Sequence, residues 1–261
     1  MRKLFLVLAL LWPLAGHAET VHIATVTEIV DGDTLFIDPP FEDGDQIRLV
    51  GLQAPKLPLG RKGFEAWPLS TESKQALSDM TLGKKLALSF GGVRRDRYGR
   101  WLAHLYVMDG DVPGLWVQGE MLRLGMARVY SFPDNRSLVA EMLTLEREAR
   151  AAKRGIWALP YYAVRGTDPA LLSPLRGTFQ VIEGRVADAA DVKGTVYLNF
   201  GADWKTDFTV SISRRNRDAF EGVFDPASLN GAAVRVRGWL KSRNGPMIEA
   251  THPEQIEVLA R

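Results

Sequence analysis

Hydrophobic and polar residues alternate along much of the first third of the chain, which is the pattern of half-buried β-strands. From Val21 to Phe36 the β-branched residues are frequent, and Asp31-Gly32-Asp33 interrupts the run. An Asp-Gly pair between two such runs is a strong signal for a hairpin. Further strands are predicted over 46–52, which follows a second turn at 39–45, and over 85–90 and 101–107.

Three helices are predicted in the same half of the chain, and apolar faces mark the second and third of them. The first covers 71–82 and the second 114–124, while the third begins near Asp134 as its N-cap and continues past Ala149. Gly155 suits the end of that last helix. Because strands come first and helices follow, the pattern favours an α+β domain over alternating βαβ units.

The second half of the chain is predicted to be a separate, strand-rich domain. Prolines and glycines without periodicity between Pro160 and Gly177 indicate a linker. Strand patterns follow, with a hairpin signal at Asn244-Gly245 and a short helix over about 214–223. A small closed β-barrel of about 85 residues is the expected fold. The predicted domains are a signal peptide at 1–18, a first domain at 19–158, a linker at 159–177 and a second domain at 178–261.

The N-terminus has the composition of a secretory signal peptide. A basic start, Met1-Arg2-Lys3, precedes an apolar run from Leu4 to Gly16 that is shorter than the roughly 20 residues of a membrane span. We expect cleavage before Glu19 and export to the periplasm or the medium, without a membrane anchor afterwards; an uncleaved anchor is the alternative. The chain has 0 cysteines, so an exported form has no disulfides.

Net charge gives no support to non-specific nucleic-acid binding by the whole protein. The chain has 33 basic and 31 acidic residues, and the two counts become equal once Arg2 and Lys3 are removed with the signal peptide. Each predicted domain is balanced as well. Binding of a polyanion would therefore depend on local clusters of positive charge.

Three local features carry charge in a pattern that suggests chemistry. Asp31-Gly32-Asp33-Thr34 sets two carboxylates on one turn, where they suit Ca²⁺ or cap the turn itself. Arg48 begins an apolar strand and therefore needs an ion-pair partner or a ligand. Four arginines lie between positions 94 and 100, either facing phosphate or simply solvated: Arg94, Arg95, Arg97 and Arg100.

Aromatic residues are interleaved through the strands of the second domain. They are Tyr197, Phe200, Trp204, Phe208 and Trp239. Such residues either fill a barrel core or form a platform on which bases stack.

The order of these features resembles the thermonuclease (staphylococcal nuclease) family over about residues 21–158. An Asp-Gly-Asp-Thr turn is followed by a strand headed by Arg48 that ends at a proline corner, then by Asp96-Arg97-Tyr98-Gly99-Arg100, and finally by two helices ending at Gly155-Ile156-Trp157. The resemblance implies a five-stranded OB-type barrel with packed helices. It also implies a calcium ion and two arginines that hold a phosphodiester while a carboxylate activates water. The second domain resembles the OB-type barrels that bind nucleic acid.

The resemblance assigns roles to five positions. Asp33 corresponds to a calcium ligand, Arg48 to the arginine that binds the scissile phosphate, and Arg100 to the arginine that stabilises developing charge. Gln53 stands where a second aspartate ligand is expected, so that only its carbonyl oxygen could serve the metal. Lys56 stands where the catalytic glutamate is expected, and a protonated lysine neither binds a cation nor accepts a proton.

Three hypotheses for this altered site follow. Another carboxylate could act as the base, the candidates by sequence being Asp31, Glu65, Glu72 and Asp96. Alternatively, the Lys56 ammonium could replace calcium in a phosphate cradle with Arg48 and Arg100. Thirdly, the site could bind nucleic acid or another phosphorylated ligand without cutting it.

The functional prediction is an exported nuclease that hydrolyses phosphodiesters of DNA or RNA. The alternatives are a non-catalytic nucleic-acid or phosphate-binding protein and an interaction module of the cell envelope. The predicted catalytic residues are Arg48, Lys56 and Arg100, and the predicted phosphate-binding residues also include Arg94, Arg95 and Arg97. Asp33 and Gln53 are the predicted metal-facing residues, with Ca²⁺ as the cofactor that the resemblance implies.

Overall fold

A computed structural model describes residues 22–260 of the chain. The predicted signal peptide lies outside these described residues. Within residues 22–260, no helix combines the length and the hydrophobicity needed to cross a membrane.

Five strands of the first half close into a barrel, as predicted. The strands of this half are β1 His22–Asp31, β2 Thr34–Phe41, β3 Gly44–Leu49, β4 Leu52–Gln53, β5 Lys85–Ser89, β6 Trp101–Asp109, β7 Val112–Trp116 and β8 Arg128–Val129. The sheet runs in the order β3-β2-β1-β5-β6, and a parallel pairing of β3 with β6 closes it. The predicted Asp-Gly hairpin joins β1 to β2, with Asp31 opposite Thr34. Apolar side chains such as Leu35, Ile47 and Leu105 fill the interior without exposure.

Three helices pack on this barrel, and two of them begin later than the sequence pattern predicts. They are α1 Ser70–Thr81, α2 Val117–Arg123 and α3 Val139–Ala151. The start predicted at 114 is wrong because residues up to Trp116 pair with β6 as strand β7. The start predicted at Asp134 is also wrong, because the Asp134 carbonyl accepts the Val93 N–H and the Asn135 amide donates to the Val93 carbonyl. Gly155 opens a short 3-10 turn instead of ending α3.

The second half forms another barrel. Its strands are β9 Phe179–Arg185, β10 Asp188–Val192, β11 Thr195–Asn199, β12 Thr209–Ile212, β13 Ala233–Arg243, β14 Gly245–Glu249 and β15 Ile256–Ala260. The sheet runs β10-β11-β12-β14-β13, and β9 pairs with β13. Because only two residues separate β9 from β10, they act as one bent strand that closes the sheet around a second apolar core. The predicted short helix is a 3-10 segment over Arg214–Phe220.

The segment predicted as a linker is structured and packed. It contains α4 Pro169–Leu172 between two short 3-10 turns, Pro160–Tyr162 and Ser173–Leu175. Tyr162 and Leu172 are buried, and the Tyr162 hydroxyl donates to the Pro68 carbonyl at 2.8 Å.

A buried ion pair joins the two barrels. Arg237 on β13 donates to both carboxylate oxygens of Glu146 on α3, at 2.9 and 3.0 Å, and to Glu257 at 2.7 Å. Glu146 also accepts the Val129 N–H at 2.6 Å. Burial alone would raise the pKa of Glu146, but the charge and hydrogen bonds of Arg237, the charge of Arg150 and the hydrogen bond from the Val129 N–H together outweigh burial and lower that pKa. The pair therefore holds its two charges fully ionised inside the interface.

Polar contacts continue along the same interface. His252 Nε2 lies 2.7 Å from Ser131 Oγ, and Arg136 Nε donates to Glu254 at 2.9 Å. The indole N–H of Trp239 donates to the hydroxyl oxygen of Tyr130 at 2.9 Å. Each contact connects the residues just after β8, or the approach to α3, with the second barrel.

Two buried histidines predict that stability falls in mild acid. Burial lowers the pKa of His104 and of His252 to about 4, whereas an unfolded histidine titrates near 6.5. Between these values the unfolded chain binds more protons than the folded chain. Stability is therefore lost as pH falls from about 6.5 to 4, by up to about 3 kcal/mol for each histidine.

Urea unfolding at pH 7.0, 5.5 and 4.5 measures this loss. We expect His104→Gln to lose the part of this pH dependence that comes from His104. Glutamine can keep a hydrogen bond to the Ser137 carbonyl, which His104 contacts at 3.2 Å, so the variant should otherwise stay folded. The raised pKa of Asp31 makes the folded state more stable as pH falls, which opposes the effect of the histidines. This contribution is the same in both proteins, so it cancels when they are compared. Equal pH dependence in both proteins would contradict the assignment to His104.

Candidate active site

A cleft of about 940 Å³ lies where the open end of the first barrel meets the second barrel. Its lining includes Asp31, Arg48, Lys56, Arg95, Arg97 and Arg100 from the predicted site, and Phe64, Trp67, Tyr130, Phe132 and Trp239 as an aromatic group. The cleft thus brings charged and aromatic residues together from distant parts of the sequence.

The turn between β1 and β2 presents two carboxylates at the base of this cleft. A Cβ at Gly32 would lie 2.0 Å from Ser73 Oγ and 2.7 Å from the Ala54 Cβ, so only glycine fits beneath α1. The Asp33 N–H donates to Asp31 Oδ1 at 3.0 Å, and Asp33 Oδ2 accepts the Ala54 N–H at 2.8 Å. The close approach of α1 and these hydrogen bonds fix both carboxylates.

The Lys56 ammonium sits directly on these carboxylates. Lys56 Nζ lies 2.6 Å from each oxygen of Asp33 and 3.1 Å from Asp31 Oδ2. Asp33 has no exposed surface, and Asp31 is 4% exposed. The positive charge that balances this buried acidic pair is therefore supplied by the protein chain.

The two carboxyl groups are tuned in opposite directions. Burial alone would raise the pKa of Asp33, but the charges of Arg48 and Lys56 outweigh burial and hold that pKa well below its usual range. Burial raises the pKa of Asp31, and the neighbouring negative charge of Asp33 raises it further, with Lys56 offsetting only part of the effect. Asp33 is thus the permanent anion of the pair, and Asp31 is the member that accepts a proton more readily.

Arg48 is held mainly by protein acceptors. Its two terminal nitrogens donate to the carbonyls of Asp33, Leu49 and Leu52 at 3.2, 2.7 and 2.7 Å. Arg48 Nη2 also lies 3.2 Å from Asp33 Oδ2, in an ion pair. This arginine therefore supports the turn that carries Asp33 as well as lining the cleft.

Gln53 has a partner other than a metal. Its Oε1 accepts hydrogen bonds from Arg128 Nε at 3.0 Å and Nη2 at 2.7 Å. Burial lowers the pKa of Arg128 to about 10, and its guanidinium lies 4.7 Å from the ring centre of Phe179. The glutamine oxygen therefore serves to satisfy a buried arginine.

These residues do not fit a calcium ion. Calcium takes six to eight oxygen ligands, usually including several carboxylates. Here both oxygens of Asp33 contact Lys56, and the side-chain oxygen of Gln53 is engaged by Arg128. Within residues 22–260 no cluster of three or more acidic, histidine or cysteine side chains is arranged to hold a metal.

The arginine-rich loop contributes three of its four arginines to the cleft. Arg100 pairs with Asp96 at 2.6 Å and lies 3.4 Å from Thr34 Oγ1. Arg95 pairs with Asp43 and stacks on Trp101, and Arg97 donates to the Tyr98 hydroxyl. Arg94 lies outside the cleft lining and faces Glu42 at 3.8 Å.

Of the four carboxylates that were candidates for the base, two line the cleft. Asp96 binds Arg100 through its side chain, and its pKa is lowered because hydrogen bonds from Arg100 and Tyr98 outweigh burial. It therefore positions Arg100. Asp31 lies against Lys56, whereas Glu65 and Glu72 are exposed outside the cleft lining.

The aromatic part of the cleft was largely missed in the sequence. Phe64 and Trp67 lie in the loop after Lys56, and Tyr130 and Phe132 follow β8. A cluster of aromatic residues in non-periodic segments was the available signal. Of the aromatics considered in the second barrel, Phe208 is core, and Trp239 is the one that reaches the cleft.

Comparison with known proteins relates this chain to a family of nucleases. The model of the family described as staphylococcal nuclease homologue matches residues 46–159. An uncharacterized endonuclease of Escherichia coli O157:H7 is 31% identical over 133 residues, which cover 51% of this chain and 75% of that protein. This chain is a member of the staphylococcal nuclease family.

Other relatives agree on the extent of the match. Endonuclease YncB of Bacillus subtilis is 30% identical over 142 residues, which cover 53% of this chain and 63% of that protein. A probable staphylococcal-like nuclease of rice, CAN2, is 33% identical over 113 residues, or 43% of this chain and 26% of that protein. The family resemblance inferred from the sequence is therefore confirmed for the first barrel. The second barrel lies beyond the residues that the family model matches.

Proposed function

We propose that this protein is an exported nuclease that hydrolyses phosphodiesters without calcium, using the Lys56 ammonium as the fixed cation of its site. The observation that carries the proposal is the contact of Lys56 Nζ with both oxygens of Asp33 at 2.6 Å. Membership of a nuclease family supports hydrolysis of nucleic acid as the reaction. The basic and apolar N-terminal sequence supports export, which the intact mass of the secreted form would check.

Electrostatics favours this role for Lys56. A divalent cation about 5 Å from an ammonium would be repelled by roughly 6 kcal/mol at an effective dielectric constant near 20. The same ammonium balances Asp33 permanently and needs no ligand from solution. A phosphate group entering the cleft would meet positive charge from Lys56 and from the arginine loop.

Arg100 is better placed than Arg48 to contact the phosphate group in the transition state. Arg48 is held by three backbone carbonyls, whereas Arg100 lies at the cleft with Asp96 and Thr34 as its partners. In the proposed reaction a water oxygen attacks phosphorus, and the bond to the leaving oxygen breaks. Arg100 stabilises the negative charge that develops on the phosphate oxygens.

Asp31 is proposed to take the proton from the attacking water. It lines the cleft, it contacts Lys56, and its pKa is raised by burial and by Asp33. A raised pKa makes a carboxylate a stronger proton acceptor near neutral pH. The leaving oxygen takes its proton from solvent.

Cleavage of labelled single-stranded DNA and RNA, with calcium or with excess chelator, tests the proposal. We expect the same rate in both conditions for the wild-type protein. Arg100→Ala should lower the rate about 10²- to 10³-fold, because it removes a charge that stabilises the transition state. Arg94→Ala is the matched control, since Arg94 belongs to the same loop but faces Glu42. Loss of wild-type cleavage in chelator would contradict the metal-independent reaction.

Binding without cleavage is the second candidate function. It is favoured by the arrangement of Arg48, whose terminal nitrogens are engaged by protein acceptors, and by the contact of Lys56 with Asp33, at a position where the family resemblance leads us to expect a glutamate base. In that case the protein would cleave neither DNA nor RNA, whether calcium or chelator is present. Binding of oligonucleotides would still weaken as salt increases and in Arg100→Ala.

A further inference from the structure

The second barrel contributes one aromatic side chain, Trp239, to the cleft that holds Lys56 and Arg100. Trp239 lies on β13, two residues after Arg237. Residues two apart in a strand point to the same face. Arg237 is buried against Glu146 of the first barrel, so the same face of the strand brings Trp239 to the edge of the cleft.

The Trp239 ring is fixed in position and still accessible. Its indole N–H donates to the Tyr130 hydroxyl at 2.9 Å, and its ring meets Phe179 edge-on with 6.4 Å between ring centres. The residue is nevertheless 42% exposed. A tryptophan that only packed the interface would lose this surface, whereas a ring that is held in place and keeps this exposure is suited to stacking.

A second exposed ring lies close by. Phe132 is 44% exposed and also lines the cleft. It meets Tyr130 edge-on with 4.7 Å between ring centres, and Tyr130 in turn holds Trp239. The exposed aromatic surface is thus continuous with a cleft whose other lining residues include Lys56 and Arg100.

We propose that Trp239 is a base-stacking residue of the substrate site, so that the second barrel forms part of the binding surface for single-stranded nucleic acid. An unpaired base stacks on Trp239 while the phosphate backbone follows the positive residues of the cleft. This inference rests on the proposed function for its ligand, since the cleft is the site of cleavage.

The combination of charge and exposed rings selects an unpaired strand. Positive grooves with aromatic side chains are the usual arrangement in proteins that bind single-stranded nucleic acid. In a duplex the faces of the bases are already stacked on one another, so Trp239 would gain no partner. Trp239 should therefore discriminate between the two forms, whereas the arginines bind the phosphates of both.

Binding of a labelled phosphorothioate single strand of about 12 nucleotides, and of the duplex with the same sequence, tests this inference by fluorescence anisotropy. The backbone resists cleavage, so binding is measured separately from hydrolysis. The variants are Trp239→Ala, Trp239→Leu and Trp239→Phe in the full chain. Leucine keeps an apolar contact without a ring, and phenylalanine keeps a ring but loses the hydrogen bond to Tyr130. Trp204→Ala is the control, because Trp204 is 57% exposed on the same barrel and lies outside the cleft lining.

We expect Trp239→Ala and Trp239→Leu to weaken single-strand binding about 5- to 100-fold, the range expected for loss of one stacked base. Duplex binding should change less than about twofold, while Trp239→Phe and Trp204→Ala should bind like the wild type. Melting temperatures confirm that each variant is folded. Wild-type affinity of Trp239→Leu for the single strand, or an equal loss for single strand and duplex, would overturn the inference.

The outcome separates this inference from the proposed nuclease activity. If the wild-type protein cleaves nothing but Trp239→Leu loses single-strand affinity, the stacking role stands and the hydrolytic function fails. If the protein cleaves and Trp239→Leu binds normally, the hydrolytic function stands and the stacking role fails.

Discussion

Replacing Lys56 by glutamate is expected to lower cleavage in chelator at least about 100-fold, because the substitution removes the cation of the site. It would also bring a third carboxylate against Asp31 and Asp33, which Lys56 now contacts at 3.1 and 2.6 Å. Loss of one partner of a buried charge pair costs about 3–5 kcal/mol. We therefore expect Lys56→Glu to unfold at lower urea concentration than the wild type when no metal is present.

Calcium should reverse both effects in this variant. Three carboxylates in contact form a site of the kind that calcium binds, and a ligand that binds only the folded state stabilises it. Cleavage by Lys56→Glu should consequently require calcium, whereas cleavage by the wild type should not. Titration with calcium, followed by melting temperature and by cleavage of a labelled strand, measures the two effects together.

Lys62→Glu is the matched control for this experiment. Lys62 lies in the same loop as Lys56 but is exposed, so the same change of charge occurs away from the acidic pair. It should leave cleavage and stability near wild-type values in both conditions. If Lys56→Glu instead cleaved as fast as the wild type in chelator, Lys56 would have no role in the reaction.

Replacing Arg237 by methionine is expected to destabilise the protein by about 3–5 kcal/mol, because it leaves Glu146 charged and buried without its main partner. Glu146 has no exposed surface and receives two hydrogen bonds from Arg237, at 2.9 and 3.0 Å. Since this pair joins the barrels, we also expect the two barrels of this variant to unfold in separate transitions. Urea unfolding followed by tryptophan fluorescence and by circular dichroism would measure both effects.

The double variant Arg237→Met/Glu146→Leu should recover only part of that loss, because it removes the buried Glu146 charge but leaves Arg150, which contacts Glu146 at 2.7 Å, without that partner. Lys241→Met serves as the control, since Lys241 lies on the same strand and pairs with Glu249 at the surface. A surface pair contributes about 0–1 kcal/mol, so this variant should resemble the wild type. Wild-type stability of Arg237→Met would show that the ion pair does not hold the interface.

The ion pair also connects stability with the binding surface. Arg237 and Trp239 share one face of β13, so a loosened interface would displace the ring that lines the cleft. Arg237→Met should therefore weaken single-strand binding more than duplex binding, in the same sense as Trp239→Leu. We therefore expect a variant that loosens the contact between the barrels to lose the stacking of a base on Trp239 as well.

Much of the first barrel could be predicted because its signals are local. The Asp-Gly hairpin between β1 and β2, a strand that includes Arg48 and a strand that begins at Trp101 all follow from alternation and turn residues, although Arg48 lies near the end of β3 and does not begin it. The starts of α2 and α3 could not be predicted in the same way. Residues before α2 pair with β6, and residues before α3 bond to Val93, so distant strands decide both boundaries.

The candidate site was only partly predictable. The resemblance identified Arg48, Lys56 and Arg100 as residues of the site, and all three line the cleft. Gln53 was interpreted as facing the metal position, and its side-chain oxygen instead satisfies Arg128, a residue that sequence reasoning had not considered. The role of Lys56 as the cation of the site, like the export of the protein, remains a prediction.

The sequence by itself determined that two β-barrels form and that one of them carries an acidic turn and an arginine loop. These properties depend on local periodicity, turn residues and residue type. Only the tertiary structure decided that Lys56 contacts Asp33 and that Trp239 meets Tyr130, a residue 109 positions away in the chain. Such contacts depend on how the two barrels close and dock, and no local pattern in the sequence encodes that geometry.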